Sequence, residues 1–158
     1  MECEALLNGG YIGIVRLQMI REGKTLYGME RFCSADGAVR VVQPLLEQAD
    51  REMFLVMSLD ASMCPIALEV AAIGGLCSCF IDMKSIFKHA VLSNAYGIIC
   101  FHNHPSGNVT PSGEDYRVTK KIAKAAMLLD VKLIDHIIVG EEGFFSFQEN
   151  ESDYLDGR

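Results

Sequence analysis

The sequence predicts an α/β (or α+β) domain in which helices flank a mixed β-sheet. Segments rich in β-branched and aliphatic residues alternate along the chain with segments whose apolar residues recur at helical spacing. The chain has 158 residues, of which 50% are hydrophobic and 22% are charged. A chain of this length and composition buries a core without needing a disulfide or a metal, so we expect one folded domain with a short extension.

The first predicted elements form an extension over residues 1–48. Residues 11–20 (YIGIVRLQMI) are rich in β-branched and aliphatic side chains and predict a strand. Ser34 is a suitable N-cap for a helix over residues 35–49, where apolar residues recur at helical spacing. Pro44 is expected to kink or break this helix, because proline lacks the N–H that a helix interior needs.

The next two predicted strands form a hairpin. A strand, FLVMSLD, begins just after Glu52, and a second strand covers residues 65–70. The residues between them include Asp60, Ala61 and Ser62, which are typical of a turn. The two strands are therefore expected to be antiparallel.

A short strand, CSCFI (residues 77–81), then leads to a helix that Asp82 can cap. Residues 94–97 are expected to end this helix, because Asn and Gly tolerate the left-handed conformation at a helix C-terminus. The predicted apolar face of the helix consists of Ile86, Phe87, Ala90 and Val91.

The last part of the chain predicts a strand, a helix and two further strands. Residues 97–101 form a fully apolar segment, typical of a buried strand, which leads into HNHPSGNVTPSGED. A helix over residues 112–129 follows, and a Glu-Glu-Gly turn joins strands in VKLIDHIIVG and FFSF. The predicted apolar face of this helix consists of Val118, Ile122, Ala125, Ala126 and Leu129.

The charge of the chain disfavours a protein that coats nucleic acid. Fourteen Lys and Arg against 21 Asp and Glu give a formal net charge of −7, which repels polyanions. One C-terminal stretch is nevertheless basic, and its cationic residues are Arg117, Lys120, Lys121, Lys124 and Lys132. Such a cluster is either a local basic patch or a solvated helix face, and the solvated face is more common. Direct DNA binding is therefore doubtful.

Cysteine usage and the absence of a secretion signal favour a cytoplasmic protein. The six cysteines lie at irregular spacings within apolar runs, which favours reduced thiols over a disulfide framework. Cys77 and Cys79 are better explained as small buried residues than as metal ligands. The most apolar segment, residues 65–81, is interrupted by Glu69, so no membrane span is expected.

The strongest chemical signal is a pair of histidines at the end of the buried strand that is predicted from residue 97. His102 and His104 are two residues apart, and because side chains alternate along a strand, both imidazoles point to one face. Asp115 follows in the first turn of the next helix. Two histidines and a carboxylate that leave a fourth position for water are the ligand set of a hydrolytic zinc site.

A structural alternative accounts for part of this pattern. Ser112 and Asp115, in the order S-x-x-D, form a variant of the capping box, and Thr110-Pro111 is a good helix start. Capping does not explain two histidines on one strand face directly before the helix. The pattern as a whole therefore favours a metal site.

These residues resemble a known motif. His102-x-His104-Pro105, followed by Ser112-x-x-Asp115, resembles the JAMM signature of the MPN zinc metalloproteases. The longer strings HNHPSGNVTPSGED, LLDVKLIDHIIVG and FFSF are similar to the bacterial RadC-like branch of that superfamily. The resemblance implies that His102, His104 and Asp115 bind zinc and that Ser112 donates a hydrogen bond to the oxyanion of the intermediate.

The resemblance covers about residues 49–148 and implies a fold and a domain organisation. The fold is JAMM/MPN-like, a three-layer sandwich related in outline to that of the cytidine deaminases. The implied organisation is an N-terminal extension over residues 1–48, a RadC-like domain over residues 49–150 and a C-terminal tail over residues 151–158.

The resemblance also implies a general base. The family has a glutamate on a strand N-terminal to the histidines, and Glu52 lies at the matching place. From the residues alone Glu52 is a solvated residue at a strand start, and Glu69 remains the alternative base. His136, in the matching stretch, is either a partner behind the zinc or a core histidine, and the core interpretation is favoured.

Three functions are open at this stage. The first is a zinc-dependent hydrolase acting on a peptide or isopeptide bond of a protein substrate. The second is a noncatalytic RadC-like module linked to DNA repair or mobile-element maintenance. The third, a metal-dependent nuclease, is disfavoured by the acidic charge.

Overall fold

The computed structural model describes residues 34–47, 49–74 and 82–157, together with Arg16 and Ile20. The predicted strands over residues 11–20 and 77–81 lie outside the described residues, apart from Arg16 and Ile20, which belong to no regular element. In chain order the elements are α1 (Ala35–Leu46), β1 (Met53–Leu59), β2 (Pro65–Ile73), α2 (Met83–Leu92), β3 (Gly97–Asn103), α3 (Gly113–Leu128), β4 (Lys132–Val139), β5 (Phe144–Ser146) and α4 (Phe147–Asn150), followed by a 3-10 helix over Ser152–Tyr154.

The strands form one mixed sheet in the order β2-β1-β3-β4-β5. β3 and β4 are parallel and are connected through α3, whereas the β2-β1, β1-β3 and β4-β5 pairs are antiparallel. The predicted hairpin is confirmed, and Asp60 stabilises its turn by accepting hydrogen bonds from the N–H groups of Ser62 (2.8 Å) and Cys64 (2.9 Å).

Helices cover both faces of the sheet. Side chains alternate along the central strands, so Phe54 and Cys100 join α2 and α3 in one core, whereas Leu55 and Phe101 join α1 in the other. All four side chains are at most 2% exposed. The molecule is therefore a three-layer arrangement with β1 and β3 at its centre, and the predicted mixed sheet flanked by helices is confirmed.

α1 differs from its prediction at the C-terminal end. It runs through Pro44 without a break and ends at Leu46 rather than at residue 49. The prediction of a broken helix was wrong because Pro44 lies in the last turn, where the missing N–H removes only one i→i−4 hydrogen bond. Helical bonding resumes directly afterwards, since the N–H of Glu47 donates to Gln43 O.

Two residues that were predicted to be buried are exposed. Val91 in α2 is 53% exposed, and Leu129, directly after α3, is 47% exposed. The buried face of α2 contains Ile86, His89 and Ala90, and Val91 lies about 140° round the helix from Ile86. Leu129 is the C-cap of α3, where helical spacing no longer applies.

Two strands continue beyond their apolar runs. β3 extends past residue 101, so His102 and Asn103 belong to the strand, and β2 extends to Ile73. Hydrophobic patterning alone does not distinguish a polar strand end from the start of a loop. The extension of β3 carries the first of the two histidines into the sheet.

Two further observations concern membranes and cysteines. Among the residues in the structure, no helix has the length and apolar character needed to cross a membrane. Cys64 and Cys100, the cysteines among the described residues, are free thiols, as expected from their spacing.

Asp135 in β4 fastens the following segment to the sheet. Its carboxylate accepts hydrogen bonds from Ser146 Oγ (2.6 Å) and from the N–H groups of His136 (2.7 Å) and Gln148 (2.9 Å). These bonds hold α4, which the sequence did not predict, and the buried ring of Phe147 stacks on the ring of His136 with 5.3 Å between centroids. Burial raises the pKa of Asp135 to about 6, against the hydrogen bonds, which lower it.

We expect the Asp135 carboxylate to stabilise the folded protein less as the pH rises. Its pKa is about 6 in the folded protein, and about 3.9 in an unfolded chain. The raised pKa means that its contribution to the free energy of unfolding is fully present below about pH 4 and is lost as the pH rises through the folded value. The amount lost is on the order of 3 kcal/mol, since each pKa unit corresponds to about 1.4 kcal/mol.

The D135N variant provides the comparison, because an amide keeps the acceptor for both backbone N–H groups and cannot ionise. Chemical denaturation of both metal-free proteins at a series of pH values should show the wild type gaining stability relative to D135N as the pH falls. A stability difference that stays constant with pH would contradict the assignment.

Candidate metal centre

The candidate centre lies where β3 ends and α3 begins. His102 is in β3, on the face that α3 covers, and His104 follows one residue after the strand. Asp115 is in the first turn of α3. In a strand-helix-strand unit with parallel strands, the carboxyl end of the first strand and the amino end of the helix lie at the same edge of the sheet. The chain connectivity therefore brings the three side chains to one place.

Three side chains with potential ligand atoms converge in this cluster. His102 Nε2 lies 3.0 Å from His104 Nε2 and 3.2 Å from Asp115 Oδ1, and His104 Nε2 lies 3.4 Å from Asp115 Oδ2. The side chains of His102 and Asp115 are 0% and 2% exposed, and that of His104 is 15% exposed. The structure thus brings the three predicted ligands together, with His104 on the outer side.

Ser112 and Asp115 form a helix cap, and the same arrangement turns the Asp115 carboxylate toward the two histidines. Ser112 is the N-cap of α3: its Oγ accepts from the N–H of Asp115 (3.2 Å), and its own N–H donates to Asp115 Oδ2 (2.6 Å). This reciprocal capping box orients the Asp115 side chain. The other carboxylate oxygen, Oδ1, faces His102. The cap therefore directs the carboxylate toward the histidines.

A chain of hydrogen bonds assigns the tautomer of His102. Thr119 Oγ1 donates its single hydrogen to the carbonyl O of Asp115 (2.6 Å), so the Nδ1–H of His136 is the donor in its contact with Thr119 (2.6 Å). His136 Nε2 is then an acceptor, and it receives the Nδ1–H of His102 (2.9 Å). The Nε2 of His102 consequently carries a lone pair, which points into the cluster.

His104 is held in the same tautomer by the turn that follows it. Its Nδ1–H donates to the carbonyl O of Asn108 (2.6 Å), which leaves the Nε2 lone pair for the cluster. The turn contains Gly107, whose φ of 75° is a conformation that glycine adopts readily. Gly140 at the end of β4 allows the turn to approach, because a Cβ there would lie 2.6 Å from Gly107 O.

The cluster fits a zinc ion. Zinc binds histidine nitrogen and carboxylate oxygen at about 2.0–2.2 Å, so the ligand atoms of a tetrahedral site are roughly 3.3 Å apart. The two Nε2 atoms are 3.0 Å apart, and each lies 3.2 or 3.4 Å from one oxygen of the Asp115 carboxylate, which agrees with this value. Two lone pairs and a carboxylate repel one another when they are buried together, and a cation removes that repulsion. Two nitrogens and one oxygen also match the ligands of zinc sites that keep an open position.

The surroundings of the cluster favour the protonation states that bind a metal. Burial lowers the pKa of His102 and lowers that of His136 well below its usual value, so both rings are neutral. Burial acts to raise the pKa of Asp115, but the interactions of its carboxylate with the rings of His102 and His104 outweigh burial, and the pKa falls far below its usual range. Attraction between the Asp115 carboxylate and a protonated His104 ring raises the pKa of His104, so a proton on His104 competes with a metal ion at low pH.

Glu52 lies at the edge of the cluster. β1 pairs with β3 so that Phe54 is opposite His102, and the two rings stack with 6.1 Å between centroids. Glu52 lies two residues before Phe54 and, by strand alternation, on the same face as Phe54. Besides the effects of burial and of Asp115, the negative charge of Glu52 raises the pKa of both His102 and His104.

Glu69, the alternative base, has a different neighbour. It lies on β2 in register with Val56, and its Oε2 is 3.7 Å from His89 Nε2 on α2. Of the two glutamates, Glu52 is the one whose charge acts on the histidine cluster. The geometry therefore favours Glu52 as the carboxylate next to the candidate centre.

Ser112 keeps a donor for a second partner. Its Oγ accepts the N–H of Asp115, but its O–H hydrogen is a separate donor, and the residue is exposed. The hydroxyl can therefore donate to a molecule bound at the centre while the cap stays intact.

Three residues support the cluster: His136, for which the sequence favoured a core role over a partner behind the zinc, and Thr119 and Gly140, which the sequence did not single out. The core interpretation of His136 is incomplete, because the ring is 1% exposed and also accepts the hydrogen bond of His102. Thr119 follows Asp115 by four residues, and this spacing is a signal for a hydroxyl that bonds the preceding turn of a helix. Gly140, directly after a strand, is a signal for close backbone approach.

The predicted basic cluster lies on the surface. Lys120, Lys121 and Lys124 are exposed on α3, and Arg117 forms an ion pair with Glu114 one turn earlier. This exposure agrees with the solvated helix face that the sequence favours.

Comparison with known proteins finds one matching family model and several similar bacterial proteins. The family model of the RadC-like JAB domain matches residues 32–152. A UPF0758 protein of Flavobacterium johnsoniae is 32% identical over 136 residues, which cover 86% of this chain and 59% of the relative. A UPF0758 protein of Actinobacillus pleuropneumoniae is 41% identical over 114 residues, covering 72% of this chain and 52% of the relative. One of Listeria monocytogenes is 38% identical over 117 residues, covering 74% and 52%. The chain thus spans between half and three-fifths of the length of these relatives.

We expect one zinc ion per chain, bound by the cluster. The D115A variant should lose the ion, because it removes one ligand and the only negative charge among the three. Plasma mass spectrometry of protein purified without added metal measures the content. The matched control is E114A, which removes a carboxylate from the same helical turn without changing the cluster. Wild-type protein that stays free of zinc after zinc is offered would refute the site.

We also expect His136 to strengthen metal binding. H136F keeps an aromatic ring against Phe147 and Phe54 but removes the acceptor for the Nδ1–H of His102. Loss of a hydrogen-bond partner behind a ligand lowers metal affinity by roughly 10–100-fold. Competition with a chromophoric chelator measures the zinc affinity. H89F is the control, because His89 is also buried but bonds to Ser58 instead. Equal affinities for H136F and wild type would contradict the assigned role.

Proposed function

The chain belongs to the family of RadC-like JAB domains, and on that premise we propose that it is a zinc-dependent hydrolase of peptide or isopeptide bonds. The observation that carries the proposal is the convergence of two imidazole lone pairs and a buried carboxylate, with separations of 3.0 to 3.4 Å between their ligand atoms. This arrangement supports a metal site with three protein ligands and one open position.

His102, His104 and Asp115 would hold the ion. Zinc bound there supplies Lewis acidity, which polarises a substrate carbonyl and lowers the pKa of water to about 7. The side chain of His104 is the most exposed of the three, at 15%. We therefore expect the substrate to approach from the side of His104.

Glu52 is the proposed general base and acid. Its charge acts on both His102 and His104, which supports a carboxylate beside the cluster that can take a proton from the attacking water. The same group then delivers the proton to the nitrogen of the leaving amine. An amide requires this second transfer, because an amine leaves only after it has been protonated.

Ser112 is the proposed donor to the oxyanion. Its hydroxyl is exposed at the amino end of α3, next to Asp115, and its hydrogen is a donor separate from the cap. A donor aimed at developing negative charge stabilises the transition state more than the ground state. The amino end of a helix adds partial positive charge at the same place.

The net charge supports an amide rather than a phosphodiester as the bond cleaved. A net charge of −7 repels a polyanionic substrate over long distances. A protein or peptide substrate carries no such uniform charge. The acidic composition therefore favours the peptidase or isopeptidase over the nuclease.

We expect E52Q to abolish hydrolysis while leaving the zinc content unchanged. Glutamine has nearly the same shape as glutamate but cannot accept a proton, and removal of a general base lowers a rate by roughly 10²–10⁴-fold. Hydrolysis of a mixed library of peptides and isopeptides by the zinc-loaded full chain, followed by mass spectrometry, measures the activity. The matched control is E69Q, which changes the other glutamate considered as a base and should retain wild-type activity.

Two outcomes of this experiment would contradict different parts of the proposal, the choice of Glu52 as the base and the hydrolase activity itself. Activity lost in E69Q and retained in E52Q would transfer the role of base to Glu69. A wild-type protein that binds one zinc per chain and cleaves no member of the library would refute the hydrolase proposal and favour a noncatalytic module.

A further inference from the structure

Asn103 lies between the two histidines in sequence but on the opposite face of β3. Because side chains alternate along a strand, His102 and His104 face α3, whereas the Asn103 side chain is turned away from the cluster. The residue is 7% exposed, and it is the last residue of the strand. A buried amide at this position needs hydrogen-bond partners.

Its partners are the backbone groups on either side of Glu52. Asn103 Oδ1 accepts the N–H of Met53 (2.8 Å), and Asn103 Nδ2 donates to the carbonyl O of Arg51 (3.2 Å). On the other side of the strand, the carbonyl O of Glu52 accepts the N–H of Gly74 (2.8 Å). The backbone around Glu52 is therefore held from both neighbouring strands.

The path of β3 explains why a side chain is used here. The pairing of β1 with β3 extends only to Phe54 and His102, because the chain turns away after Asn103 to bring His104 into the cluster. Beyond this point, β1 has no peptide group of β3 opposite it to continue the ladder of backbone hydrogen bonds. The Asn103 amide supplies both an acceptor and a donor, as that peptide group would.

The segment before Glu52 needs this support. Asp50 and Arg51 are exposed, and their side chains pair with each other at the surface. Strand ends without ladder partners fray, and Glu52 directly precedes β1. A general base must keep its position to within a fraction of an ångström, because a displacement of about 1 Å can lower a rate 10²-fold.

We propose that Asn103 is a positioning residue that fixes Glu52 beside the candidate metal centre through its two hydrogen bonds to the backbone of Arg51 and Met53. The inference rests on the proposed function for the role of Glu52 as the base. One side of β3 thus supplies metal ligands, and the other side holds the residue that acts next to them. The hydrogen bonds of the Asn103 side chain go to the backbone on either side of Glu52 rather than to the cluster.

Two variants and a control isolate this role. N103A removes both hydrogen bonds, whereas N103D keeps the acceptor for Met53 and loses the donor to Arg51. The control is N150A, because Asn150 also donates a side-chain hydrogen bond to a backbone carbonyl, that of Ser146 in the C-terminal segment (2.8 Å). Each variant is made in the full chain, with and without E52Q.

The first measurement does not depend on hydrolysis. Hydrogen exchange reports whether the Met53 amide is protected, and the absorption spectrum of the Co²⁺-loaded protein reports the surroundings of the cluster. We expect N103A to expose the Met53 amide and to shift the Co²⁺ spectrum in the same direction as E52Q. N103A should have no further effect on the spectrum in the E52Q background, because it acts through Glu52. N150A should change neither measurement.

The second measurement is hydrolysis of the peptide and isopeptide library. We expect N103A to lower kcat by roughly 10–100-fold with little change in KM, N103D to fall between N103A and wild type, and N103A to add nothing to E52Q. A protected Met53 amide and an unchanged Co²⁺ spectrum in N103A would overturn the positioning role, whatever the activity. A wild type without hydrolysis, combined with the expected exchange and spectra, would refute the proposed function and leave the positioning role standing.

Discussion

The candidate centre depends on the direction of two N–H bonds. His102 and His104 each donate from Nδ1 to a fixed acceptor, one in a side chain behind the sheet edge and one in the backbone of a turn. Their Nε2 lone pairs are thereby forced toward each other and toward Asp115. Without a cation, the two lone pairs and the Asp115 carboxylate repel one another. Other parts of the structure must therefore hold them in this arrangement. The parallel strand pair, the buried Thr119 and the turn that Gly140 accommodates all contribute to maintaining it.

The start of α3 and the orientation of the Asp115 carboxylate depend on the same hydrogen bonds. The hydrogen bonds that cap the helix also fix the carboxylate of Asp115, so helix formation and assembly of the cluster are coupled. The helix dipole acts in the same sense, because the amino end of a helix stabilises negative charge. The S-x-x-D pattern of Ser112 and Asp115 suggested either a helix cap or a metal ligand. In the structure, a single arrangement of the two residues is compatible with both.

The parts of the centre that follow from neighbours along the chain could be predicted. Strand alternation puts His102 and His104 on one face, and the S-x-x-D spacing puts Asp115 in the first helical turn. His136 differs, because its acceptor role involves a ring 34 residues away and exists only when β3 and β4 pair in register. The same reason applies to Asn103, whose partners are 50 and 52 residues away. Local pattern also fails in α2, where His89 takes a buried position and its Nδ1 forms a hydrogen bond with Ser58 on β1, 31 residues away.

The three ligands differ in how firmly the fold holds them. His102 lies in a central strand with its side chain fully buried, and Asp115 is fixed by a cap, whereas His104 lies beyond the strand in a turn at the surface. Surface turns open far more often than central strands do. Release of His104 leaves a half-site of one nitrogen and one carboxylate in place, ready to receive an ion again. For an ion held by this cluster, the rate of exchange would be set by the opening of one loop, and the ion would enter or leave without unfolding of the domain.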